Sequence, residues 1–330
     1  MKPISINCFG DSVTEGMAVD GHHTADYGKK PFPAQLYTML RNEGYDVNVV
    51  NSGHGGEDVS AIAARSGGIS CYVSKELTVP ADTWVSLGVR RRVDGRNYDT
   101  ALRLYDADAA GEDYCVYLTQ MSHDTNPVYI DGKPYEMKTE NEANLIRRLD
   151  NEGGERIIPR GAEVFTANNR NADVNVFYVG INDGKSLTLE RYLRALKACG
   201  EVNGGKYIVL GATHACWNNW SDMTEEDPAA RYQAYRRACY TAFGVHFIDL
   251  YDEFSRHGLD LALEGGYFAE TPAERLTDMR ALFADHIIPA EFSYNKESQG
   301  NVHLSGEGYY VMARLIAERM KRLGYLPTSK

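Results

Sequence analysis

Three short polar segments carry groups that together could perform acyl transfer. Ser12 supplies a hydroxyl, residues 51–56 supply backbone amides in a glycine-rich turn, and Asn182 supplies a side-chain amide. A serine hydroxyl attacks a carbonyl at neutral pH only when a base takes its proton, so a histidine is required. His303 lies just before the last helical stretch, where the chain can return to the same sheet edge.

The elements that must position these groups alternate between strand and helix. Hydrophobic runs predict strands at residues 2–9, 45–51, 174–179, 207–212 and 245–250. Helical periodicity predicts helices at 33–42, 189–199, 228–242 and 308–323, the last with Ser305 as its N-cap. This alternation predicts an α/β fold with a parallel sheet covered on both faces. Polar segments that follow such strands meet in a crevice at their carboxyl ends.

Residues 67–171 have a different pattern, with short strand-like runs that include 84–89, 114–119 and 163–167. A hairpin is predicted at Asp131-Gly132, because this dipeptide favours the tight turns that join antiparallel strands. The sequence therefore predicts a discontinuous α/β domain, residues 1–66 and 172–330, that is interrupted by an inserted small β-rich domain at 67–171.

Four motifs, in this order, resemble those of the SGNH (GDSL) hydrolase family. They are Gly10-Asp11-Ser12, a glycine after the second strand, Gly180-Ile181-Asn182-Asp183, and a histidine before the last helix, His303. The resemblance covers residues 1–66 and 172–325 and leaves the insertion out. It implies a flavodoxin-like three-layer parallel sheet and the hydrolysis of carboxylic esters through an acyl-enzyme.

Carried onto this sequence, the resemblance implies that Ser12 is the nucleophile and His303 the general base. One position departs from the family, which usually has an aspartate three residues before the histidine, where this chain has Gly300. A backbone carbonyl near Gly300, or the carboxylate of Asp285 or Glu297, is left to orient the imidazole.

The resemblance also implies an oxyanion hole. Its donors are the backbone N–H groups of Ser12 and Gly56 and the side-chain amide of Asn182. Gly53 or Gly55 takes the place of Gly56 if the second motif aligns differently. Such donors stabilise developing negative charge, so we expect Asn182 to matter for turnover rather than for folding.

A substrate pocket is predicted around Asp11, His214 and Trp217. The acidic, polar and aromatic character of this rim, together with analogy at the level of the fold, favours a small acyl group, such as acetyl, on a carbohydrate or another polar alcohol, over a long-chain lipid. Packing of Trp217 in the core remains an equal alternative.

Two other functions stay open at this point. The missing acid before His303 is compatible with a degenerate site in a carbohydrate-binding or interaction protein. A metal-dependent phosphoesterase would use His22, His23 or His54 with Asp11 or Asp20, and it is disfavoured because these residues form no closed ligand set. We expect neither a metal nor a cofactor.

Composition excludes further classes. The formal net charge of −11 disfavours nucleic acid as a partner, because binding to phosphates relies on clustered cations. No apolar stretch approaches the roughly 18 to 20 residues that span a bilayer. The 6 cysteines form no CxxC pair, and the start of the chain lacks a secretion signal. These features predict a cytoplasmic protein with reduced thiols, although a chain with its leader removed would look the same.

Overall fold

The computed structural model describes residues 2–16, 31–90, 98–105, 114–115, 126–150, 152–166, 172–184, 187–294 and 296–326. These residues fall into two compact units. The first unit comprises Met1–Gly55, Asp173–Leu193 and Lys206–Lys330, and the second comprises Gly56–Ala172 and Arg194–Gly205. The second unit thus begins earlier than residue 67 and includes residues 194–205. The assignment of 67–171 as an insertion stays a prediction.

The secondary structure is named here in chain order. The strands are β1 (Ile4–Gly10), β2 (Val47–Gly53), β3 (Cys71–Val73), β4 (Leu77–Pro80), β5 (Val85–Arg90), β6 (Tyr98–Thr100), β7 (Leu102–Leu104), β8 (Tyr114–Cys115), β9 (Val128–Ile130), β10 (Lys133–Glu140), β11 (Ala143–Arg148), β12 (Glu155–Ile158), β13 (Glu163–Thr166), β14 (Val174–Tyr178), β15 (Tyr207–Leu210) and β16 (Phe247–Ile248). The α-helices are α1 (Ser12–Glu15), α2 (Phe32–Asn42), α3 (Val59–Ser66), α4 (Leu189–Glu201), α5 (Pro228–Phe243), α6 (Leu250–Glu264), α7 (Ala273–Ala284) and α8 (Gly306–Arg322).

The first unit contains a five-stranded sheet in the order β16-β15-β14-β1-β2, and every neighbouring pair is parallel. Counted along the chain, the order is 2-1-3-4-5, so it reverses between β1 and β14. Gly10 pairs with both Gly53 and Tyr178 in the register, which brings the carboxyl ends of the neighbouring strands β2, β1 and β14 to one level. The predicted α/β fold with a parallel sheet is confirmed.

Helices pack on both faces of this sheet, as two neighbouring residues of β16 indicate. Ile248 belongs to the core cluster that α2, α6, α7 and α8 share with the sheet. Phe247 contacts the α5 residues Tyr235, Tyr240 and Phe243 by ring packing. Since successive side chains of a strand point to opposite faces, α5 lies across the sheet from the other four helices.

Local sequence explains where several helices begin. Ser305 caps α8 as predicted, with its hydroxyl accepting from the backbone N–H of Gly308. Asp249 caps α6 in the same way by accepting from the N–H of Asp252. Helices α1, α3, α6 and α7 were not predicted. Of these, α6 and α7 occupy the long segment between the fifth strand of the parallel sheet and His303.

The second unit is built mainly from an antiparallel sheet of nine strands, ordered β6-β5-β11-β10-β9-β13-β3-β7-β8. Strands β12 and β4 form a separate antiparallel pair. The predicted hairpin joins β9 and β10, and both turn residues, Asp131 and Gly132, have positive φ angles. The predicted strand at 114–119 is described only at Tyr114–Cys115, since residues 116–125 lie outside the described part of the chain.

Candidate active site

Ser12 is the first residue of a single helical turn that follows β1 directly. Asp11 is fully buried, and its side chain accepts a hydrogen bond from Val13 N at 2.9 Å, which caps this turn. Gly16 ends it in the left-handed conformation and donates its N–H to the carbonyl of Ser12. The Ser12 backbone is thereby held at both ends, and its side chain lies at the carboxyl edge of the sheet.

Two glycines allow this turn to lie close to the ends of its strands. A Cβ on Gly10 would be 2.0 Å from Thr14 Oγ1, and a Cβ on Gly53 would be 2.1 Å from Glu15 N. Neither distance is compatible with a real side chain, so glycine is required at both positions. The end of β2 therefore rests directly against the turn that carries Ser12.

His303 reaches Ser12 from a bridge that precedes α8. Its Nε2 lies 2.8 Å from Ser12 Oγ, within hydrogen-bond distance. The backbone N–H of His303 donates to Asn301 Oδ1 at 3.0 Å, and its carbonyl accepts from Tyr294 N at 3.2 Å. The two residues that the sequence predicted as nucleophile and base are thus brought together.

The electrostatic environment keeps His303 neutral. Burial lowers the pKa of His303, while the negative charge of Glu15 raises it and opposes part of that effect. An imidazole whose pKa lies below its ordinary value is unprotonated at neutral pH. It can therefore accept a proton from the neighbouring hydroxyl.

Glu15 is a site residue that the sequence reasoning missed. It lies three positions after Ser12 on the same helical turn, and its side chain is buried, with 5% of the residue exposed. Its carboxylate accepts the backbone N–H of Gly55 at 2.7 Å, and its carbonyl accepts from Asn51 Nδ2 at 3.2 Å. The spacing from Ser12 is the signal that could have identified it.

The three candidates for the group that orients His303 lie in different surroundings. Gly300 has a positive φ of 67° and donates its N–H to the carbonyl of Ile288 at 2.9 Å. Asp285 is the exposed residue at the end of α7, and Glu297 is also exposed. The orienting role of each candidate stays a prediction.

The predicted oxyanion donors follow the ends of their strands. Asn182 is exposed in the loop after β14, the strand that neighbours β1. The N–H of Gly53 donates to Asn51 Oδ1 at 3.0 Å, and the N–H of Gly55 is held by Glu15. The N–H groups of Gly53 and Gly55, the two alternatives to Gly56, therefore already donate hydrogen bonds within the protein. Gly56 itself is the first residue of the second unit, and its role stays a prediction.

The predicted pocket residues differ in their surroundings. Asp11 is buried as the cap described above. His214 follows β15, and burial together with the positive charge that His303 can carry lowers the pKa of His214 to about 4. Trp217 is 1% exposed and stacks on Tyr235 at 4.6 Å between ring centroids, so its indole packs in an aromatic cluster. Of the three, His214 is the residue electrostatically coupled to His303.

No group of three or more potential metal ligands occurs among the described residues. His54 is buried at 2% exposure, whereas Asp20, His22 and His23 lie outside the described ranges. Within those same ranges, the structure contains no helix long and apolar enough to cross a membrane.

Comparisons with known proteins add one structural likeness. No protein-family model matches the sequence, and no curated protein matches it. Among solved structures, the chain is similar to a peptidoglycan O-acetylesterase at a TM-score of 0.35 and 12% identity, over 98% of this chain and 91% of that chain. A likeness this weak supports no conclusion about fold or activity.

Proposed function

We propose that the chain is a serine hydrolase that cleaves carboxylic esters through an acyl-enzyme on Ser12. The observation that carries this proposal is the 2.8 Å distance between Ser12 Oγ and His303 Nε2. Two features support it. The pKa of His303 is lowered by burial, which suits a base at neutral pH, and the backbone at Ser12 is fixed by the Asp11 cap.

The reaction runs in two displacements. His303 Nε2 takes the proton of Ser12 as Oγ bonds to the carbonyl carbon, and the carbonyl oxygen becomes an oxyanion. The tetrahedral intermediate collapses, the bond to the alcohol oxygen breaks, and His303 returns the proton to that oxygen. Water then attacks the acyl-serine with His303 again as base, which releases the carboxylic acid and restores Ser12.

The oxyanion donors in this proposal are the backbone N–H groups of Ser12 and Gly56 and the side chain of Asn182. The hydrogen bonds of Gly53 to Asn51 and of Gly55 to Glu15 favour Gly56 over the two other glycines. Removing one such donor typically costs about 10²- to 10³-fold in kcat. Asn182→Ala is therefore expected to slow turnover strongly while the chain stays folded.

The finer fold and substrate assignments belong to the same proposal. The strand order 2-1-3-4-5 is that of flavodoxin-like sheets, and a reversal between β1 and β14 puts the ligand crevice beside Ser12. We assign the chain to the SGNH type on this basis and on the order of its four motifs. The preferred substrate is a short acyl ester, such as acetyl, on a carbohydrate or another polar alcohol.

Turnover of a small acetate ester by purified protein tests this proposal. Wild-type protein should release acetate from 4-nitrophenyl acetate, and both Ser12→Ala and His303→Ala should reduce kcat by at least about 10³-fold. Circular dichroism of both variants checks that the fold persists. Equal activity in Ser12→Ala, or activity that a chelator abolishes, would reject the serine mechanism and favour a metal-dependent one.

A further inference from the structure

A short antiparallel bridge places two rings side by side. Ser293 pairs with Leu304, and the next residue on one side, Tyr294, donates its N–H to the carbonyl of His303. Ser293 and Leu304 are both fully buried. Tyr294 follows Ser293 in a turn and His303 precedes Leu304, so the bridge brings these two residues together. Their ring centroids are 6.3 Å apart in an edge-to-face arrangement.

Tyr294 is accessible, whereas the tryptophans near the sheet edge are not. The residue is 41% exposed, compared with 1% for Trp217 and 3% for Trp220. The tryptophan rings instead contact other aromatic side chains, Tyr235 among them. Within the described part of the chain, Tyr294 therefore offers an exposed aromatic ring beside the base.

In the proposed reaction the alcohol part of the substrate lies beside His303. His303 Nε2 must give its proton to the leaving oxygen, so that oxygen lies within about 3 Å of Nε2 in the reactive complex. The remainder of the alcohol then extends past the imidazole. Ser12 lies on one side of His303, and the exposed ring of Tyr294, 6.3 Å from the imidazole between centroids, can contact this remainder of the alcohol.

We propose that Tyr294 forms the binding subsite for the alcohol and that this alcohol is a pyranose sugar. The inference rests on the proposed ester hydrolysis. An aromatic ring offers a flat apolar surface that matches the C–H face of a sugar ring. The segment that follows, residues 296–300, is exposed and consists of Lys, Glu, Ser, Gln and Gly, which suits hydroxyl groups rather than an alkyl chain.

The test compares two acetate esters that differ only in their alcohol, an acetylated methyl glucopyranoside and ethyl acetate. Tyr294→Ala should lower the ratio of their kcat/KM values by about three- to tenfold, mainly through a higher KM for the sugar ester. Tyr294→Phe keeps the ring and should keep the ratio. Tyr240→Ala removes a tyrosine of similar exposure, 39%, on α5 and is the matched control.

A binding measurement separates this inference from the hydrolase proposal. Calorimetric titration of Ser12→Ala protein with the same acetylated glucoside should show binding that Tyr294→Ala weakens. Such binding without wild-type turnover would keep the subsite and reject the hydrolase. An unchanged ratio, an equal loss on both esters, or binding that does not depend on Tyr294 would each overturn the subsite. Phenyl acetate serves as a third ester, and a loss confined to it in Tyr294→Ala would overturn the sugar assignment in favour of an aromatic alcohol.

Discussion

Ser12 Oγ and His303 Nε2 lie 2.8 Å apart, although 291 positions separate the two residues in the chain. Ser12 is held by the turn after β1, and His303 by the bridge to Ser293 and Tyr294 before α8. The contact therefore depends on both of these attachments. Substitutions that disturb either attachment, or that alter the charges around the imidazole, should change kcat or kcat/KM.

Glu15→Gln should shift the pH dependence of kcat/KM. Glu15 from α1 acts on the pKa of His303, and His303 in turn acts on that of His214 from the loop after β15, while the ring of Tyr294 lies edge-on to the imidazole. The Glu15 carboxylate raises the pKa of His303 against the effect of burial, so its removal lowers that pKa further. The acid limb of the profile should move to lower pH, and kcat should fall by about tenfold as the imidazolium loses stabilisation.

The glutamine variant is informative because its amide oxygen can still accept the N–H of Gly55. Glu264→Gln on the exposed side of α6 is the matched control and should leave the profile in place. A Glu15→Gln profile that coincides with wild type, or moves to higher pH, would contradict the electrostatic role of Glu15.

His214→Asn should make the stability of the protein less sensitive to acid. The pKa of His214 is about 4 in the folded chain and about 6.5 when unfolded, so the unfolded state binds the proton first as the pH falls. This difference in pKa favours the folded state fully above pH ~6.5. The contribution to the free energy of unfolding, about 2 kcal/mol for this partly buried side chain, is lost as the pH falls towards 4. Urea unfolding at several pH values measures it. The exposed His257→Asn is the control, and a slope unchanged by His214→Asn would reject this assignment.

Arg65→Met should destabilise the second unit strongly. Arg65 Nε donates to Glu57 Oε2 at 2.7 Å, and both side chains are fully buried. Removing one member of such a pair leaves a buried charge and costs about 3 to 5 kcal/mol. Arg41→Met removes an exposed pair with Asp46 and should cost at most about 1 kcal/mol. Urea unfolding of both variants gives the comparison, and similar losses in the two would contradict the prediction.

Gly53→Ala should reduce turnover without touching a reacting group. The new Cβ would approach Glu15 N to 2.1 Å, so the turn that carries Ser12 must shift. A misplacement of about 1 Å can cost about 10²-fold in rate. Gly153→Ala has open space around its Cβ and should retain wild-type kcat. Steady-state kinetics with 4-nitrophenyl acetate distinguishes the two, and equal rates would show that the close approach is unimportant for catalysis.

The sequence predicts the parallel sheet well because its signals are local. The buried run of β1, the periodicity of α2 and the Ser305 cap of α8 each lie within a few residues. Ser12 and the loop of Asn182 follow the neighbouring strands β1 and β14, and the rule that parallel strands end at one edge predicts that the two lie close together. The predicted contact between Ser12 and His303 needed the family's motif order as well, since the bridge that holds His303 has no local signature.

Other features depend on contacts that sequence patterns do not encode. Glu15 gains its importance from the N–H of Gly55, which is 40 positions away. The sequence around Trp217 is equally compatible with a place in a pocket and a place in the core. The stacking of Trp217 on Tyr235 in the folded chain distinguishes the two. The order of the nine antiparallel strands likewise depends on pairing between distant segments. Helix α6 did have a signal, the Asp249 cap, which the strand prediction over 245–250 obscured.

The most direct test of the central claim is the location of a covalent adduct. Folded wild-type protein treated with a fluorophosphonate should gain one adduct mass, and peptide mapping by mass spectrometry should place it on Ser12. Ser12→Ala should gain none, and His303→Ala should react much more slowly because the serine has lost its base. An adduct on another residue, or no adduct on folded wild-type protein, would contradict a Ser12 nucleophile activated by His303.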